Sequence, residues 1–419
     1  MRSPATNRDH AADGRCRPGR VPFLTPMLAL ALAACGTDTG DAGDTGGMTV
    51  ADSAGVRIVE YAGTPPADAS IAFAPEPSYR HGPGPDDYIF SSIWDGVLFS
   101  DGSAAVYDPG NSEVVLLGPD GTFRSVLASQ GEGPGDVGFV PAMFASGSDS
   151  LLLNDSGNSR FTLFAGGSLA RTTRIPQAVS YAFSANGIVA DGRILMSSSS
   201  YRRGFPEDWL AGYMVRFDLE TEGVDTVATF DWVPFVPPDD VPRNPFPHAG
   251  LVAGVGGEFL YGRTDIPQLT WRRPDGSVRQ IVRWQPEWVY PTDEHWEVFA
   301  NNIRETAHTY NPQAQTDEAR AELVESMLGG YEMNPDQPLP LFGIPFGDDE
   351  SRVWLGEFVV VGRSPSPSYS LLSSDGEWLG RVEAPEGVRI IDVAGGRALG
   401  VTTDEMGAES VVVYELVGS

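Results

Sequence analysis

The residues best suited to hold a ligand in this chain are arginines in loops. Arg202, Arg203, Arg263 and Arg363 fall in corresponding loops of three sequence units, and His248 ends a long Pro-rich segment between two of them. Guanidinium groups converging on one rim would bind a carboxylate, sulfate or phosphate, because their planar fork matches such anions. The same arginines have acidic neighbours in Glu207, Asp208, Asp265 and Glu357. An anion site and local ion pairing therefore both stand as readings.

Composition removes several other chemistries. All 28 basic residues are arginine, which excludes a Walker-type phosphate loop, Schiff-base chemistry and a lysine base. Beyond the leader the histidines are His81, His248, His295 and His308, with neither a His-x-His pair nor an HExxH motif, so zinc has little support. No GxSxG elbow is present, and "GEGPGDV" at residues 131–137 lacks the lysine and helix of a phosphate loop. No catalytic residue can be named from these patterns.

The elements that would position the arginines are short strands in a repeat. Asp108 and Asp155 are 47 residues apart, as are Asn111 and Asn158. The phrases "GPGPDDYIF" at 82–90 and "GEGPGDVGF" at 131–139 recur 49 residues apart. A period in this range, made of brief apolar runs and Gly/Asp turns, marks a four-stranded antiparallel meander repeated as blades. Asp108 and Asp155 read most simply as turn formers. Further units can be traced from residues 181, 249, 341 and 388, and the third turn of units one, four and five is Asp-Gly at Asp120, Asp275 and Asp375. The last unit supplies three strands, so residues 70–82 are expected to return as its fourth, pairing with 411–416 and closing the ring. One stretch, about 292–330, instead shows helical spacing at Trp296, Phe299, Ile303 and Ala307, then at Leu323 and Met327, and reads as an inserted helical pair.

"NDSGNSRFTLF" at 154–164 resembles the core of NHL-type propeller repeats through Asp155, Gly157, Asn158 and Arg160. "YDPGNSEVVLL" at 107–117 is similar, with Glu113 in place of the arginine. The inter-blade phrase looks like that of six-bladed propellers in bacterial lipoproteins. The resemblance implies an all-β propeller of four-stranded antiparallel blades, six in number, or seven if Val56–Tyr61 begins another unit. It also implies that inter-blade loops and second-to-third-strand loops share one face, where the long insertions fall. Some propeller hydrolases hold calcium in the central channel, so calcium stays open as a cofactor.

Five arginines precede an apolar run at 23–34 that ends in Leu-Ala-Ala-Cys. Residues 1–34 read as a secretion leader, and Cys35 resembles a lipobox cysteine that would be acylated. The mature chain would then have no free thiol. Residues 35–55 are Gly, Asp and Thr rich and are expected to be a flexible tether, with the propeller domain at 56–419. The formal charge is −29, and losing five Arg and two Asp with the leader leaves about −32, which disfavours nucleic acid. The expected protein is a monomeric, membrane-anchored component of the cell envelope. It would bind a small polar ligand, glycan, peptide or protein on its loop-rich face; the alternative is a calcium-dependent propeller hydrolase or lyase.

Overall fold

The computed structural model describes residues 47–63, 70–84, 87–176, 183–199, 209–311, 313–314, 316–361 and 365–418, apart from 235–241. The leader, Cys35, Arg202, Arg203 and Arg363 lie outside these residues.

Strands β1 (Met48–Ser53), β2 (Val56–Tyr61), β3 (Ile71–Phe73) and β4 (Tyr79–His81) precede the repeats. Blade one is β5 (Asp95–Leu98), β6 (Ala104–Asp108), β7 (Glu113–Leu117) and β8 (Phe123–Ala128). Blade two is β9 (Ala142–Ala145), β10 (Ser150–Asp155), β11 (Arg160–Ala165) and β12 (Ser168–Arg174). Blade three is β13 (Phe183–Ile188), β14 (Ile194–Ser199), β15 (Trp209–Phe217) and β16 (Val224–Pro234). Blade four is β17 (Gly250–Val255), β18 (Glu258–Arg263), β19 (Gln268–Arg272) and β20 (Val278–Arg283). Helices α1 (Asp293–Tyr310) and α2 (Asp317–Leu328) follow, within the expected insertion. Blade five is β21 (Pro345–Gly347), β22 (Val353–Gly356), β23 (Ser368–Leu372) and β24 (Trp378–Glu383). Blade six begins with β25 (Val388–Ala394), β26 (Arg397–Thr403) and β27 (Glu409–Gly418).

These sheets form a six-bladed β-propeller, and its apolar core is divided among the joints between blades. Leu98 and Val106 of blade one pack with Leu399 and Val411 of blade six, while Val97 and Tyr107 pack with Met143 and Leu153 of blade two. Equivalent clusters join each remaining pair. Alternation along a strand thus feeds two interfaces, which is why these strands read as nearly continuous apolar runs.

The first blade-to-blade device is a glycine. Gly121 and Gly376, in the Asp-Gly turns between third and fourth strands, have φ of +79° and +76°. A Cβ at Gly121 would strike the ring of Tyr79 in blade six, and one at Gly376 would strike Gln280 and Val282 in blade four. Turn conformation and contact with the preceding blade both demand glycine.

Ring closure follows the sequence expectation: β27 carries β4 at residues 411–413 and β3 at 416–418. The hairpin β1–β2 is a correction. Residues 48–53 were expected to belong to the tether, and a seventh blade was an alternative for 56–61. Instead β2 adds in parallel to β20, with Arg57 opposite Gln280, and β1 pairs antiparallel to β2, so blade four has six strands. Val59 is fully buried, and the Tyr61 hydroxyl accepts the Trp378 N–H at 2.7 Å, bracing blade five. β1 was illegible because almost every side chain on it is exposed, leaving no apolar alternation to read.

Candidate functional site

The repeated motif of blades one and two is a clasp. Asp108 accepts the backbone N–H groups of Ser91, Ser92, Gly110 and Asn111 and the Asn111 side-chain amide. Asp155 accepts the N–H of Gly138 and Asn158, the Asn158 amide at 2.8 Å and Arg160 Nε at 3.2 Å. Arg160 then donates to the carbonyls of Glu132, Gly133 and Asp136, gripping the inter-blade phrase. Both carboxylates are fully buried and their oxygens are filled. They fasten each inter-blade loop to the following blade.

Arg263 is engaged in a similar way. Its Nε and Nη2 donate to Asp265 at 3.0 and 2.6 Å, and Nη1 donates to Asp231 at 2.7 Å. The guanidinium also lies 3.8 Å from the centre of the Trp209 ring. Its hydrogen bonds to Asp265, opposed by partial burial, hold its pKa above the usual arginine value. His248 is buried beside it, with Nδ1 3.5 Å from Thr264 Oγ1, and burial pushes the imidazole pKa down. The fold thus brings Arg263 and His248 together, with the arginine charge already matched by two carboxylates.

Two connected cavities lie elsewhere. The first strands of all six blades enclose a central channel of about 460 Å³. At the loop-rich face, blades four, five, six and one surround a mouth of about 450 Å³, walled by Leu251, Phe342, Ile344, Phe346 and Phe358 with Trp94 at its edge. Asp95, Ile344, Phe346 and Ile391 line both spaces, so the mouth leads into the channel at Asp95. Ile344 is 74 % exposed and Trp94 39 %, so apolar surface is open at the rim of the mouth.

Carboxylates mark the way down. Asp95 begins β5, and one of its oxygens accepts the Met143 N–H of β9 at 2.8 Å. Asp392 follows a register shift in β25 that brings it to the channel, where it accepts the N–H groups of Leu98 in β5 at 2.7 Å and Val393 at 2.9 Å. Each carboxylate therefore stitches one inner strand to the next blade. Protein surrounds both groups closely, although each keeps part of its surface open to the channel. Desolvation raises Asp95 to about 6, opposed by the N–H groups of Met143 and Gly96 and by Arg389. Desolvation likewise raises Asp392 to about 7 despite its two N–H donors, with Asp95 and Asp349 adding repulsion.

Two other carboxylates on these walls are matched by arginines. Asp348 accepts Arg352 Nε at 2.6 Å and Trp354 Nε1 at 2.9 Å, and Glu357 accepts Arg381 Nη2 at 2.7 Å. Arg389 is the one basic residue on either wall among the described residues, and it donates to the carbonyls of Ile93 and Trp94. Among the described residues, no group of three or more Asp, Glu, His or Cys is arranged to hold a metal ion.

Sequence reasoning named the loop arginines and passed over Asp95 and Asp392. Their signal was present: one carboxylate inside each of two apolar runs, "SIWDGVLF" and "VRIIDVAG". Such a residue in a buried strand must be hydrogen-bonded or face a cavity.

No family model matches the chain, and no curated protein matches it significantly. Solved structures resemble it in shape. A member of a domain-of-unknown-function family from Bacteroides vulgatus superposes with a TM-score of 0.51 at 9 % identity, covering 84 % of this chain and 99 % of its own. A protein described as exported, from Bacteroides fragilis, gives 0.48 at 10 %, covering 86 % and 99 %. A regucalcin from Agrobacterium tumefaciens, described as calcium-binding, gives 0.39 at 12 %, covering 83 % and 96 %. At 9 % identity the likeness to the Bacteroides vulgatus protein bears on the fold alone.

Proposed function

We propose that this protein is a lipid-anchored, extracytoplasmic propeller that binds a small ligand in the mouth of its channel. The observation that carries this reading is the continuity of an aromatic, partly exposed mouth with a channel whose carboxylates retain open surface. Concave, mostly apolar sites with a few convergent polar groups are the usual form of small-molecule sites. Anchoring rests on the leader and Cys35, and the address follows from the same residues. In this reading the ligand stays on the loop-rich face, and the candidate site moves from the arginines to the mouth. A fragment screen by ligand-observed NMR tests the reading, with Gly343→Phe as a plug: a Cβ at this mouth residue makes only ordinary contacts. Fragments should bind the native chain and lose binding to the plugged variant; fragments that bind both equally would contradict it.

A second reading, a hydrolase or lyase, draws on Asp95 and Asp392, since carboxylates with pKa values of about 6 and 7 suit general acid–base work near neutrality. Calcium dependence gains no support from the described residues. Turnover of a panel of esters, lactones and glycosides that is abolished by Asp392→Asn would favour this reading over simple binding.

A further inference from the structure

We infer that the ligand of the channel mouth is an organic cation, an ammonium group on an aromatic or alkyl body, with the ammonium at Asp95. The inference rests on the mouth being a binding site and adds the sign and shape of what enters it.

Three observations converge. The first concerns charge: Asp348 and Glu357 are matched to arginines, whereas among the described residues Asp95, Asp392 and Asp349 have only backbone N–H donors directly bonded to them. Among the described residues the one basic group on the walls, Arg389, donates to the carbonyls of Ile93 and Trp94. These walls carry three such carboxylates against one arginine, which lies close enough to Asp95 to act on its charge, and a low-dielectric throat of that net sign attracts a cation, the more so in a chain of formal charge −29. The second concerns hydrogen bonding. Among the described residues, Asn186 in the channel lining spends its side-chain N–H on the Val252 carbonyl, whereas Asp95 and Asp392 keep open surface, so what these groups offer a ligand is acceptors. The third is the wall itself. Phe346, Phe358 and Trp94 present aromatic surface at the threshold of Asp95, which suits both an apolar body and a cation over a ring face. An anion would meet net repulsion here, and among the described residues no group of three or more ligating side chains is arranged for a bare metal ion.

The test is calorimetric titration of the full-length chain in detergent with phenethylammonium, the neutral 3-phenylpropanol, 3-phenylpropionate and calcium chloride. Phenethylammonium should bind tightest, and Asp95→Asn, whose amide oxygen can still accept the Met143 N–H, should weaken it at least tenfold while leaving the weak binding of the alcohol unchanged. Phe358→Ala should weaken it several-fold, an effect that does not depend on altering a buried carboxylate. Equal binding of alcohol and ammonium would overturn the cation assignment and keep the mouth as a site. Binding of phenethylammonium indifferent to Asp95→Asn, Phe358→Ala and Gly343→Phe would overturn both. Calcium binding lost in Asp95→Asn, with no ammonium binding, would replace the organic cation by a metal.

Discussion

Asp155 and Asp95 are both carboxylates in the inner half of a blade, yet one is filled and the other is left wanting. Asp155 collects two backbone N–H groups, an amide and an arginine. Asp95 has two backbone N–H groups and a cavity, and burial raises its pKa to about 6. A carboxylate saturated by fixed donors is a fastener, because every oxygen lone pair is already committed. One that is desolvated and short of donors can gain from an incoming cation. The same contrast separates Arg263, matched by Asp231 and Asp265, from the channel carboxylates.

The sharpest break in that comparison should come from the fastener. Asp155→Ala leaves Arg160, only 9 % exposed, without its carboxylate and should cost about 3 to 5 kcal/mol. Urea denaturation measures it; a loss below about 1 kcal/mol would mean that the clasp is decorative. Arg263→Ala should cost less, about 1 to 2 kcal/mol, from lost charge-assisted bonds and the contact with Trp209. An unchanged thermal midpoint would return Arg263 to the list of residues held ready for an anion.

The channel carboxylates should act on stability in the opposite sense. The folded pKa of Asp392, about 7, lies above the ordinary carboxylate value, so the folded state holds this proton more tightly. Its stabilising contribution is fully present below about pH 4 and is lost as pH rises through 7. Asp95 contributes the same way, lost through about 6. The groups facing them are Arg389 on β25 and Asp349 in the turn after β21. The difference in unfolding free energy between the native chain and Asp392→Asn should therefore grow in favour of the native chain from pH 8 to pH 4.5, by on the order of 1 kcal/mol after allowing for channel water. A difference independent of pH would mean that Asp392 is an ordinary solvated carboxylate. Outside this comparison, Cys35→Ser should release the protein from the membrane fraction; retention would refute acylation.

Much of the fold was legible because turn chemistry is local. The 47-residue spacing of Asp108 and Asp155 set the blade period, Asp-Gly at 120, 275 and 375 agreed between distant units, and the three-strand final unit required an N-terminal partner. The helices showed through Phe299, Ile303 and Ala307, the last two buried. What stayed hidden depends on contacts distant in sequence. Residues 48–53 became a strand only because β2 lies beside β20. Asp95 and Asp392 became neighbours only when the ring brought the first blade beside the last. Arginine loops drew notice because charge in a loop is conspicuous, and the carboxylates that occupy Arg263 come partly from another blade.

The central claim is that Asp95 is a desolvated carboxylate awaiting a cation. Carboxyl ¹³C NMR on Asp-labelled protein, with resonances assigned through Asp95→Asn and Asp392→Asn, measures it directly. Midpoints of about 6 for Asp95 and about 7 for Asp392 are expected, and saturating phenethylammonium should pull the Asp95 midpoint down. An Asp95 midpoint near the ordinary carboxylate value of about 4, unmoved by the ammonium, would contradict the account.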